Sequence, residues 1–235
     1  MTDNADRKIW QPLHPAIRDR LDPQYVAYHE AHLQYIEPEK LGVWDGSART
    51  KKVSLPPGGT KPVPVGGIDD FDVGRFRVRV YTPTGECDER GWPVLVWFHG
   101  GGWVLGVVDN TATAEDVWKP NAETAPWLTP ERLSWYRKLY LTRDEDCKSW
   151  DSSPNFAPES LLKNLPKTWI AVAEMDILAP EALAFGEQLK GLGVEVDTLV
   201  VEGATHSILS LHGIIDRGRE MIGSAVKHLQ GVFGT

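Results

Sequence analysis

Cysteine is nearly absent: Cys87 and Cys147 are the whole supply in 235 residues. Two thiols build neither a disulfide framework nor a cysteine-rich zinc site, so a reducing, cytoplasmic compartment is expected. Long runs of lysine and arginine are missing, and the net charge is −8. Both features set nucleic acid aside as a partner. The first thirty residues hold no apolar stretch suited to a signal peptide or a membrane span. Asp3, Asp6, Arg7, Lys8, Arg18, Asp19 and Arg20 interrupt them.

What remains is ordinary globular composition, 41% hydrophobic and 25% charged, at a length that suits one α/β domain. Ten tryptophans and seventeen prolines are a high count. They point to a loop-rich surface with aromatic-lined cavities, or to plain core filler.

The stretch that organises the chain is Trp97-Phe98-His99-Gly100-Gly101-Gly102-Trp103. It follows Pro93–Phe98, a short apolar run that reads as a buried strand. Three glycines after such a strand let the backbone turn sharply and leave its amides bare. Bare amides on a rigid support can bind a developing negative charge. The bland alternative is a Gly-rich turn without chemistry.

Upstream, residues 1–50 read as a helical cap region. His14–Leu21 has Pro15 in its opening turn, and Asp22-Pro23 starts a second helix through Tyr25, Val26, His29, His32, Leu33 and Ile36. His29 and His32 could share a helix face as metal ligands, but no third ligand stands near, so no metal is expected. Residues 46–67, rich in Gly, Pro, Ser and Lys, read as a linker or loop. Ile68–Val73 alternates weakly and Phe76–Tyr81 strictly, the latter as an edge-type antiparallel strand. Thr129 and Pro130 open a helix through Leu141, with Leu133, Trp135, Tyr136, Leu139 and Tyr140 as a broad aromatic face. Asp144, Glu145 and Asp146 read as a solvated loop.

In the last third, Thr168–Ala173 is a parallel-type strand ending in Glu174-Met175-Asp176. A helix over 180–191 stops at Gly191 and Gly193. Val194–Val201 is the next strand, ending in Gly203-Ala204-Thr205-His206, and a final helix covers about Gly213–Leu229. In open parallel sheets the ligand site lies off the carboxyl ends of the strands, which is where this pattern delivers Asp176 and His206.

With these segments in hand, the chain resembles the hormone-sensitive-lipase branch of the α/β-hydrolases, esterases and lipases with a His-Gly-Gly-Gly loop. The matching segments are His99–Gly106, Ser153–Pro158, Ala173–Leu178 and Gly203–His206, in the family's order along nearly the whole chain. The resemblance implies an α/β-hydrolase-like sheet with a helical N-terminal cap. It implies an oxyanion hole at Gly100, Gly101 and Gly102, Asp176 and His206 as the acid and base of a Ser-Asp-His triad, and no cofactor or metal. It further implies a single domain over 1–235, with N-terminal strands and oxyanion loop at 68–106, a lid or pocket region at 107–165 and the acid/His part at 166–235.

One family element is missing. Gly-x-Ser-x-Gly, the nucleophile elbow, occurs nowhere in the chain. Only 77 positions separate His99 from Asp176, and the chain departs from its family at Gly106/Val107. The skipped part is roughly ninety residues, about a third of such a domain. Ser207 adjoins His206, but neighbouring side chains cannot easily form the required Ser–His bond. Ser152, Ser153 and Ser210 lack an elbow. Loss of central strands would leave Pro93–Phe98 without backbone partners and would expose apolar surface. Three readings follow: a carboxylic-ester hydrolase impaired by the missing serine, a non-catalytic ligand-binding protein of the same fold, or a truncated, non-functional product. The expected partner is a small-molecule ester or acyl ligand, with self-association through exposed sheet edges.

Overall fold

The structure, a computed structural model, describes residues 7–38, 41, 42, 44–46, 60–74, 76–87, 89, 91–98, 100 and 120–234. The chain divides into two units, residues 60–97 and the remainder, each described by itself.

In the smaller unit, strands β1 (Gly67–Val73) and β2 (Phe76–Thr82) pair antiparallel, with Ile68 opposite Tyr81 and Val73 opposite Phe76. Gly74, at φ +61°, makes the reversal between them. Register decides the charge pairing. Asp70 faces Arg79 and Asp72 faces Arg77, and both pairs form, at 2.7 and 3.2 Å. Period-two alternation puts Phe71, Val73, Val78 and Val80 on the other face, where all four are exposed. A two-stranded hairpin whose apolar face stays in water is marginally stable.

Pro93–Phe98 is not a strand, contrary to its sequence pattern. Val94 is 79% exposed and Trp97 72%. A run that is apolar on both faces needs a hydrogen-bonded neighbour on each edge. Among the described residues none lies beside it, so no ladder forms.

The larger unit opens with helices α1 (Pro15–Arg18) and α2 (Pro23–Ala31). The Asp22 carboxylate caps α2, accepting the N–H groups of Gln24 and Tyr25 at 2.8 and 3.2 Å. α1 ends earlier than the sequence predicts, because the Arg20 and Leu21 N–H groups turn back to the Ile17 carbonyl. Helix α3 (Pro130–Tyr140) starts as expected, with the Thr129 hydroxyl accepting the Arg132 N–H. Its aromatic face is divided: Leu133 and Tyr136 are buried, whereas the Trp135 indole donates to the Gly42 carbonyl at 2.9 Å. Residues Asp144–Lys148 form a 3-10 turn rather than an irregular loop, because the Asp146 carboxylate pairs with the Arg143 backbone and guanidinium.

After the short helix α4 (Glu159–Leu162), strand β3 (Thr168–Ala173), helix α5 (Ala179–Gly191) and strand β4 (Val196–Val201) form a parallel strand–helix–strand unit. α5 lies close on the strands: a methyl on Gly186 would sit 3.1 Å from Ile170. Gly193, at φ +86°, turns the chain into β4. Among the described residues β3 has β4 as its sheet neighbour and no inner one. The last helix, α6 (Asp216–Phe233), begins three residues later than predicted. Ile215 is buried beforehand, and the Asp216 N–H is taken by the Gln24 side chain at 2.8 Å.

The main core joins the two ends of the chain. Ile17, Leu21, Tyr25, Val26 and Tyr28 of the N-terminal helices pack with Ala173, Met175, Ala204, Ile208 and Ile215. Among the described residues no helix is long and apolar enough to cross a membrane.

Candidate active site

Two of the predicted site residues meet. Asp176 stands three residues beyond β3 and His206 five beyond β4. Parallel pairing carries both chain segments off the same sheet end. The join is fixed there: the Met175 N–H donates to the Ala204 carbonyl at 2.9 Å. His206 Nδ1–H donates to Asp176 Oδ2 at 2.8 Å. The second carboxylate oxygen accepts the Leu178 N–H at 3.0 Å, at the start of α5. The Asp176 side chain is 13% exposed and the His206 ring 39%. A carboxylate on Nδ1 fixes the tautomer and leaves Nε2 on the open side of the ring, able to take and return a proton.

Several residues brace this pair without standing out in the sequence. The Asn121 side-chain amide donates to the carbonyls of both Glu174 and Asp176, at 2.9 and 2.8 Å, tying down the acid's turn. The Glu174 carboxylate accepts the Gly203 N–H at 2.8 Å and the Arg20 guanidinium at 2.8 Å. The Gly203 N–H, joined by Arg20, holds the Glu174 carboxyl below its ordinary range. Behind the His loop, burial pushes the Tyr25 phenol up to about 12. Burial also lowers His29, which faces Tyr25 and the Gln11 carbonyl. His29 is thus a satisfied core histidine, and no group of three metal-ligating side chains occurs among the described residues.

The oxyanion glycines are a different matter. Gly100 is exposed, with open space where a side chain would be. His99, Gly101, Gly102 and the junction at Gly106/Val107 lie outside the described residues.

The candidate serines point elsewhere. Ser153 is fully buried and donates to the Cys147 carbonyl at 2.7 Å. Ser152 donates to the Asp146 and Ser149 carbonyls, and Ser210 to the Ser207 carbonyl.

Comparison with known proteins shows what the chain is similar to in sequence and fold. A family model described as the alpha/beta hydrolase fold matches residues 107–210. An AB hydrolase superfamily protein of Schizosaccharomyces pombe is 23% identical over 94% of this chain and 97% of its own length. Hormone-sensitive lipase of Bos taurus is 30% identical over 35% of this chain, which spans 11% of that lipase. The chain likewise spans 35% or less of several other curated esterase relatives. The crystal structure of a double mutant of the esterase rPPE shares the fold, with a TM-score of 0.66 at 17% identity over 87% of this chain and 95% of that one. The chain thus has the fold of the α/β-hydrolases and is similar in sequence to esterases and to hormone-sensitive lipase.

Proposed function

We propose that this chain derives from a Ser-Asp-His carboxylic-ester hydrolase, retains the acid and base as Asp176 and His206, and turns esters over weakly or not at all. The observation that carries the reading is the 2.8 Å Nδ1–carboxylate bond in a chain that has no Gly-x-Ser-x-Gly. The pair is built to take a proton from a nucleophile that the chain does not supply. A histidine and oxyanion donors alone leave only a small residue of triad catalysis.

The missing segment has independent support. The alignment with the Schizosaccharomyces pombe protein runs over 330 positions against the 235 residues of this chain, so at least 95 positions have no counterpart here. The family match also begins at residue 107, beside the expected junction. The unladdered, exposed Pro93–Phe98 run favours a further reading, that the chain is a shortened product lacking strands its own sequence calls for. Self-association through that surface follows from the same exposure. A groove of about 580 Å³ beside Leu41, Pro130, Ser134, Trp135 and Lys138 supports the ligand-binding alternative, with a small ester or acyl compound as occupant.

Turnover of p-nitrophenyl acetate by the purified chain is the test. The expected rate is indistinguishable from the rate with His206→Ala. A rate abolished by that substitution and by a serine-directed phosphonate would refute the reading. Sequencing the transcript separates a shortened product from a genuine short gene: a longer message encoding Gly-x-Ser-x-Gly identifies the former.

A further inference from the structure

We infer that Glu174 is a positioning residue for the Asp176–His206 pair, the joint through which the N-terminal helices hold the His loop in register with the acid. The inference rests on the reading of Asp176 and His206 as acid and base.

The geometry is specific. The Glu174 N–H continues the ladder past the end of β3, donating to the Val201 carbonyl at 3.1 Å. Its side chain then spans the gap between two elements. Oε2 accepts the Gly203 N–H at 2.8 Å, and Oε1 accepts from Arg20 Nη2 at 2.8 Å. The turn holding Arg20 is bound to the same glycine, since the Asp22 N–H donates to the Gly203 carbonyl at 3.0 Å. Arg20, Glu174, Gly203 and Asp22 therefore close a ring of contacts. Glu174 is two residues before Asp176, and Gly203 is three before His206. A displacement at either end reaches the acid–base bond through a very short length of chain.

The carboxylate is matched to this task. An ionised acceptor makes charge-assisted bonds, stronger than neutral ones, and its two oxygens serve two donors at once. An apolar residue here would leave the Gly203 N–H, in a left-handed turn against the Arg20–Asp22 backbone, without its acceptor. Asn121 braces the acid's turn from the other side, and among the described residues its side chain bonds the carbonyls of Glu174 and Asp176. Among the described residues, Glu174 is the side chain bonded to both the His loop and the N-terminal turn.

The test reads the His206 Nδ1–H directly, by its low-field proton resonance and its solvent exchange in the full isotopically labelled chain. Asp176→Ala is expected to abolish the resonance; persistence would refute the acid–base reading itself. Glu174→Ala, in a protein whose methyl spectrum shows the fold retained, is expected to raise exchange about tenfold, the weight of one hydrogen bond. Glu174→Gln keeps an acceptor for Gly203 and is expected to restore most of the protection. Exchange unchanged in Glu174→Ala, with the resonance lost in Asp176→Ala, overturns the role of Glu174 and leaves the pair standing. Should Glu174→Ala fail to fold, Arg20→Gln, at a half-exposed side chain, takes its place: a smaller rise in exchange supports the role, and none overturns it.

Discussion

Replacing Gly203 by alanine tests the brace behind the His loop at its tightest point. Gly203 has φ +67°, a conformation that disfavours any β-carbon, and a β-carbon there would lie 2.7 Å from the Asp22 nitrogen and 3.0 Å from the Arg20 oxygen. Both obstacles are backbone, so no side-chain rotation relieves them. The left-handed conformation alone costs about 1–2 kcal/mol for a residue with a β-carbon. Relief of the clash pushes the two strands of backbone apart. That weakens the Asp22 N–H bond to the Gly203 carbonyl and the Gly203 N–H bond to Glu174, each worth about 1 kcal/mol. The sum is about 2–4 kcal/mol, a large share of the about 5–15 kcal/mol that holds a typical domain together. With a urea slope of about 2 kcal/mol per molar, the unfolding midpoint falls by about 1–2 M. Far-UV circular dichroism follows the transition, and amide exchange at Gly203 reports the local loss. A midpoint within about 0.3 M of the parent, with protection at Gly203 intact, would refute the reasoning.

Gly223 is the control: it lies inside α6 with open space around it and an ordinary φ, so Gly223→Ala is expected to raise stability by about 0.5–1 kcal/mol in the same urea assay. Acid weakens the protein through Glu174. Its carboxyl titrates below the ordinary 4.5 in the folded state, so its contribution is complete above that value and is lost as pH falls toward the folded one. Glu174→Gln should flatten that limb of a stability–pH curve. His29 adds a step at milder pH: burial lowers it from 6.5, so its neutral form stabilises the fold above that value, and stability declines as pH falls below it. A urea series from pH 7.5 to about 5.5 on the parent and His29→Gln measures that step. Replacing Val94 and Trp97 together by lysine should reduce dye binding to exposed apolar surface and concentration-dependent light scattering; unchanged scattering would place the association surface elsewhere.

Local patterns carried much of the fold. Alternation marked β1 and β2 and left Asp70 and Arg79 to find one another across the ladder. Thr129-Pro130 marked the start of α3, and the strand–helix–strand order placed Asp176 and His206 at one sheet end, where they bond. Pro93–Phe98 shows the limit of such patterns. Apolar residues in a row state what a segment needs; whether neighbours exist to meet that need is decided elsewhere in the chain. The late start of α6 has a similar cause. Gln24 ties down Asp216 from 192 residues away, and Gly218 sits against the backbone of Ile208 and His212. The Arg20–Glu174 contact, 154 residues apart, had no local signal at all. Glu174 and Gly203 were visible as neighbours of the acid and the histidine, but only three dimensions show that they bond.

The union of Ile17, Leu21 and Tyr25 with Ala204, Ile208 and Ile215 fixes when this site comes into being. A ribosome releases the N-terminal helices first, and domains fold as their parts emerge. Here helices α1 and α2 meet Ala173 and Met175 first, and the part of their core made by Ala204, Ile208 and Ile215 only once the chain has reached those residues. Closing so long a loop costs little more than closing one half its length, but it cannot begin early. The acid is synthesised before the residues that hold its histidine, so a nascent chain that stops short of Ile215 holds Asp176 with only part of that core behind it. Assembly of the acid–base pair thus waits for the His loop and the residues that pack behind it, and a ribosomal pause before that point prolongs a state with partly open apolar helices.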